Sequence, residues 1–160
     1  MCRNNNELYW LNDVMQYKSV MEFFIKFSRF EYALKKNEYY IANNKNIIVE
    51  TNFDKFTKQF KNTSLPPHLK DFLSYLDENP VGKLMATGEY MRKKETAKSD
   101  LTRLVSYLRR IRNNLFHGTK HPNLGKYEEG SRGATLINLG IQAIDFLVTI
   151  DNKIETTYRG

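Results

Sequence analysis

Apolar residues recur at steps of three and four along most of the chain, the period of a helix that buries one face. Within residues 13–37, Val20, Phe23, Phe24, Phe27, Phe30 and Leu34 share one broad face. Asp13 and Gln16 have the spacing of a capping box ahead of that run, and Lys35 and Lys36 suit the negative C-terminal end of a helix. Phe53, Phe56 and Phe60 repeat the pattern in a shorter helix. The stretch "SLPPHLKDFLSYLDENP" opens with prolines that a first helical turn tolerates and places Leu69, Phe72, Leu73 and Leu76 on one side. Asn79-Pro80 stops it.

Residues 81–98 are basic and weakly periodic, and read as a loop with room for a helical turn. Ser99 is a good N-cap for the next helix, whose stripe is Leu101, Leu104, Val105, Leu108, Ile111 and Leu115, with Gly118 as terminator. The polar, Gly/Pro-punctuated stretch "GTKHPNLGKYEEGSRG" is a surface loop. A last helix over 133–154 carries Ile137, Ile141, Ile144 and Val148 on one face. No segment alternates as a sustained strand. The expected fold is all-α, a four-to-five-helix bundle, with residues 1–160 forming a single domain large enough for its own core.

Composition agrees with a globular chain: 41% hydrophobic and 27% charged residues. The single cysteine, Cys2, cannot form an internal disulfide, and no apolar segment of a secretory leader follows the N-terminus. The longest apolar run, "IQAIDFLVTI", is too short to span a bilayer and contains Asp145. The expectation is a cytoplasmic protein that makes no membrane contact. Charge is more informative. Residues 92–120 hold nine Lys or Arg and two acids, which accounts for the whole net charge of +7. One basic block on an otherwise neutral chain points to a local polyanion site, against the competing reading of a solvated helix face.

The end of that block reads "RRIRNNLFHG", Arg109 to Gly118. On a helix, Arg109, Asn113 and His117 fall in one row, and Arg112 borders the Leu108–Ile111–Leu115 stripe. A guanidinium at the edge of an apolar seam needs a partner, because a buried unpaired charge is costly. The helix dipole favours the protonated form of His117 while the nearby arginines oppose it. A purely structural account has Arg112 reaching to solvent, the asparagines fraying the helix end and His117 capping carbonyls.

The segment "IRNNLFHG" resembles the R-x4-H signature of the HEPN superfamily, with Arg112, Asn113 and His117 at the matching positions. That family is a helical bundle with the motif on a late helix and one more helix after it, an order similar to residues 17–154 here. Glu31-x3-Lys35 resembles an acidic/basic pair that some HEPN nucleases carry on their first helix. The resemblance implies a metal-independent endoribonuclease without a cofactor, of the kind found among prokaryotic toxins and phage-defence effectors, including those of abortive infection. By that likeness His117 transfers protons, Arg112 clamps the scissile phosphate and Asn113 orients one or the other. Arg109, Arg110 and Lys120 hold flanking RNA backbone, with Glu31 and Lys35 auxiliary. The 2′-OH of RNA attacks and leaves a 2′,3′-cyclic phosphate. A homodimer with two motifs facing one substrate is implied, with an antitoxin or regulator as a further partner. Thr119 stands where toxins silenced by adenylylation carry a Tyr, so the likeness does not extend to that control.

Competing readings are a non-catalytic HEPN-type protein that binds nucleotide or RNA or serves assembly, and a helical interaction domain for an acidic protein. A metal site has little support: His117 and His121 are separated by Gly118 and precede Pro122, and no Cys or carboxylate pair has ligand spacing. His68 reads as exposed. Trp10, Tyr39 and Tyr40 could stack on bases, though packing is the commoner use of such residues.

Overall fold

Burying the apolar faces of helices of very different length dictates the architecture of the computed structural model, which describes residues 18–116 and 130–160. Cys2, Trp10, the Asp13–Gln16 cap, His117, Gly118, Thr119, Lys120 and His121 lie outside the described residues. The chain is mostly helical. In order it forms α1 (Lys18–Lys36), β1 (Tyr40–Ala42), β2 (Ile48–Thr51), α2 (Phe53–Gln59), α3 (Pro67–Glu78), β3 (Gly82–Leu84), β4 (Tyr90–Arg92), α4 (Asp100–Phe116), α5 (Arg132–Val148) and α6 (Asn152–Arg159).

The helical stripes read from the sequence are the buried faces. Val20, Phe23, Phe27, Phe30 and Leu34 of α1 are all at most 4% exposed, and one core cluster draws side chains from all six described helices. An aromatic chain runs through it: Phe30 meets Phe56 edge-on at 5.7 Å between ring centroids, and Tyr39 meets Phe56 at the same distance and 89°. Tyr39 is therefore core, whereas its neighbour Tyr40 is exposed. Helix α3 begins at Pro67 with no side-chain cap, and His68 is exposed in its first turn. Ser99 occupies the cap position of α4: its carbonyl accepts the Arg103 N–H at 3.1 Å, while its hydroxyl donates to the Lys61 carbonyl at 3.4 Å.

Three expectations need correction. The last helix is two, α5 and α6, bent by 119°. Asp151 starts the second: its carboxylate accepts the N–H groups of Lys153 at 2.8 Å and Ile154 at 3.2 Å, so a cap interrupts what reads as continuous apolar periodicity. Residues 81–98 contain an antiparallel hairpin, β3–β4, with Gly82 opposite Arg92 and Lys83 opposite Met91. A second hairpin, β1–β2, pairs Tyr40 with Thr51 and exposes Ile41, Ile48 and Val49. Strands of three or four residues are too short for alternation to register in a periodicity reading.

Helix α1 is tied by polar contacts to both α5 and α6. Lys26 donates to both Asp145 carboxylate oxygens at 2.7 Å, tying α1 to α5. Burial works against the Lys26 charge, but bonds to Asp145 and Glu22 outweigh it and raise its pKa above the ordinary lysine value. Arg29 donates to the Tyr158 carbonyl, tying α1 to α6. No single helix among the described residues is long and apolar enough to cross a membrane.

The α1–α5–α4 contact has no spare room at Gly140. A Cβ there would lie 2.8 Å from Cε2 of Phe23 and 3.5 Å from Cδ2 of Leu108. Phe23 is fully buried, so its ring can yield only by disturbing the core around it. Gly140→Ala gains about 1 kcal/mol of helix propensity but incurs an overpacking penalty of about 1–3 kcal/mol. We expect a net loss, seen as a melting temperature lowered by roughly 2–6 °C. An unchanged or raised melting temperature would show that the ring can move.

Helix α3 is joined to α4 through Tyr107, whose hydroxyl donates to Asp77 at 3.0 Å and accepts the Glu95 N–H at 3.1 Å. Burial, then the Asp77 carboxylate, pushes the Tyr107 phenol pKa up. A folded-state pKa above the unfolded one stabilises fully below the unfolded value, about 10 for Tyr, and that contribution disappears as pH rises through the folded pKa. Stability should therefore fall above about pH 10. Tyr107→Phe should cost about 1–2 kcal/mol at pH 7 and make the alkaline fall shallower in denaturant titrations.

Candidate functional site

Helix α4 combines a deeply buried apolar face with four arginines. Leu101, Leu104, Val105, Tyr107, Leu108 and Ile111 are all at most 4% exposed, so each arginine leaves the helix beside a core position and is met locally. Arg103 donates to Asp77 at 2.5 Å and to Asp100 at 2.7 Å. Arg109 is exposed and lays its guanidinium over the Phe53 ring, 4.9 Å from the centroid. Arg110 turns inward: it pairs with Glu95, donates to the carbonyls of Lys93 at 2.7 Å and Val81 at 3.3 Å, and lies over Tyr107.

Arg112 is the residue that gathers the site. Its Nη2 donates to Oε2 of Glu31 at 3.3 Å, between residues 81 apart in the chain. Its Nη1 donates to Oδ1 of Asn113 at 3.1 Å, and the guanidinium carbon is 5.9 Å from the Phe27 ring centroid. Glu31 and Phe27 are one turn apart on α1, so that helix offers the guanidinium a carboxylate and an aromatic face together. The Arg112 side chain keeps 33% of its surface exposed, which leaves it reachable by an anion from solvent. Asn113 is exposed, and Lys35 lies half-buried one turn beyond Glu31.

Of the residues singled out from the sequence, Arg112, Asn113 and Glu31 thus come together at the end of α4. Arg109 stays on the surface. Arg110, expected on a track for nucleic-acid backbone, instead spends its donors inside the fold. His117 and Lys120 lie outside the described residues. Asn114, read as fraying the helix end, donates to the Gly82 carbonyl at 2.9 Å and so holds β3. That role had no signal in the sequence, because its acceptor is a backbone carbonyl in a segment without clear periodicity.

The part-exposed Glu31–Arg112 pair should be weakly stabilising. A double-mutant cycle with Glu31→Gln and Arg112→Gln should give a coupling of about 0.2–1 kcal/mol. A coupling of about 3 kcal/mol or more would mark a buried bridge needed for the fold. Thermal or urea unfolding of the four proteins measures it.

Comparison with known proteins adds no assignment: no protein-family model matches the chain, and no curated protein or solved structure matches it.

Proposed function

We propose that this chain is a metal-independent endoribonuclease of HEPN type, acting in the cytoplasm as a toxin-like or phage-defence effector. One observation carries the reading. Two separate parts of the resemblance, Glu31 on the first described helix and Arg112-Asn113 on a late one, meet within 3.3 Å. Chance agreement of short motifs does not require them to be neighbours. RNA brings its own nucleophile, so the protein must supply only a base, an acid and an anion clamp. Arg112 stays charged, and its planar fork matches the phosphate oxygens as negative charge builds during 2′-OH attack. Asn113, bonded to Arg112, fixes the plane of that fork. His117, five positions beyond Arg112 in sequence, carries an imidazole, the side-chain group suited by its ordinary pKa to move a proton near neutral pH. In-line attack needs an acid at the leaving 5′ oxygen as well as a base. A homodimer with two motifs facing one phosphate supplies both from a single gene, through an isologous interface.

A second reading, a non-catalytic HEPN-type bundle that binds RNA or nucleotide or serves assembly, draws on the same contact. Glu31 already neutralises Arg112, as a structural partner would. The two readings separate in one assay.

Purified protein is incubated with total RNA in excess EDTA, and the products are resolved on a gel. The nuclease leaves fragments ending in 2′,3′-cyclic phosphate and does not cut DNA of equal sequence. His117→Ala should lower the rate about 100-fold or more, and Arg112→Ala should do likewise, both with unchanged circular dichroism. Excess His117→Ala chains mixed with wild type should depress activity beyond dilution. Intact but shifted RNA favours the binder, and a substituted protein that cleaves at the wild-type rate removes the catalytic assignment.

A further inference from the structure

The basic block is largely consumed within the fold. Lys94 and Arg103 face Asp77, Arg110 faces Glu95 and Arg112 faces Glu31. Among the described residues, Arg92, Lys93, Lys98 and Arg109 of the block form no ion pair, and the first two lie at the exit of the β3–β4 hairpin. Lys83, on the opposing strand, is a third exposed cation there. Glu89, at the turn, is the one acid between residues 82 and 94.

This hairpin is clamped to the end of α4 that carries Arg112. Asn114 holds the Gly82 carbonyl, while Arg110 holds the carbonyls of Val81 and Lys93 and the Glu95 carboxylate. Four contacts from two α4 residues flanking Arg112 and Asn113 hold the two ends of the ribbon, at Val81-Gly82 where it enters and at Lys93 and Glu95 where it leaves. Arg110 and Asn114 are thereby positioning residues, and the cations that reach solvent belong to the ribbon. Residue Gly82 opposite Arg92 leaves that guanidinium without a side chain across from it. Met85 and Met91 add exposed, polarisable apolar surface beside the charges.

We propose that the β3–β4 hairpin is the arm that holds the single-stranded RNA backbone beside Arg112, with Lys83, Arg92 and Lys93 as its phosphate contacts. The inference rests on the ribonuclease reading for the identity of the polyanion. Its physical basis is unneutralised positive charge, rigidly joined to the helix end where the scissile phosphate would lie.

The test uses the full chain and a fluorescein-labelled 12-nucleotide RNA, 2′-O-methylated throughout so that it cannot be cut. Anisotropy is followed from low to moderate salt. Lys83→Gln, Arg92→Gln and Lys93→Gln combined should weaken binding at least tenfold. The slope of log affinity against log salt should fall by about 2, as expected for three lost contacts to a single strand. A control carrying Lys45→Gln, Lys58→Gln and Lys153→Gln, exposed lysines on other elements, removes equal charge and should change the slope little. Equal losses in the two variants, or no RNA binding by wild type, would overturn the proposal. So would an unchanged RNA affinity together with lost binding to a deca-glutamate peptide, which would make the ribbon a protein-docking surface. The two readings fail separately. A wild type that binds through the ribbon yet leaves ordinary RNA intact keeps this inference and loses the nuclease. A wild type that cleaves RNA, with binding indifferent to the ribbon substitutions, does the reverse.

Discussion

Four arginines on a deeply packed helix set the constraint around which this protein is arranged. Helix α4 must lie in the core, because Leu101, Leu104, Leu108 and Ile111 would otherwise face water. Arg103, Arg110 and Arg112 then sit where an unpaired guanidinium would be costly, while Arg109 emerges at the surface beside them. Each of the four meets a partner from a different part of the chain: Asp77 of α3, the Phe53 ring of α2, Glu95 after the β3–β4 hairpin, and Glu31 of α1. Electrostatic satisfaction of one helix therefore fixes how its neighbours are placed around it. Apolar burial supplies the bulk of the attraction, and the arginines select one arrangement among those that would bury similar area.

The same constraint separates two uses of positive charge. Arginines close to the core seam are met by carboxylates and carbonyls and act as struts. Cations farther from the seam, on the β3–β4 ribbon, keep their charge toward water. Arg112 lies between these extremes, paired to Glu31 yet one-third exposed. That position suits a group that must stay charged and oriented while remaining open to an incoming phosphate. It also explains why net charge in a stretch of sequence is a poor measure of field at the surface: half of the block's described cations are neutralised within a few ångströms.

Close packing imposes the second constraint. Gly140 lets α5 approach Phe23 of α1 nearer than a side chain would allow, and Lys26–Asp145 then locks the pair of helices. The bend between α5 and α6 follows from Asp151, whose carboxylate takes two N–H groups of the new helix. It returns the chain along α1, where Thr157 meets Asn37 and the Tyr158 carbonyl meets Arg29.

The sequence by itself determined the helical stripes, since a repeat of three and four leaves a single face to bury, and Phe23, Phe27, Leu104 and Ile144 are buried as their spacing requires. It also marked Arg112 as needing a partner, because a charge beside an apolar seam is a local contradiction. Glu31 was legible as one half of a commonplace helical spacing that also resembles a pair in some HEPN nucleases. Its meeting with Arg112 depends on how α1 crosses α4, and no local pattern encodes that crossing. The two hairpins escaped for a different reason: strands of three or four residues carry too little alternation, and β3–β4 is held by Arg110 and Asn114 from outside its own sequence. Which arginines became struts and which cations stayed free was likewise decided by the tertiary structure. The acids and carbonyls that neutralise a guanidinium come from distant segments, and composition along the chain does not report distance in space.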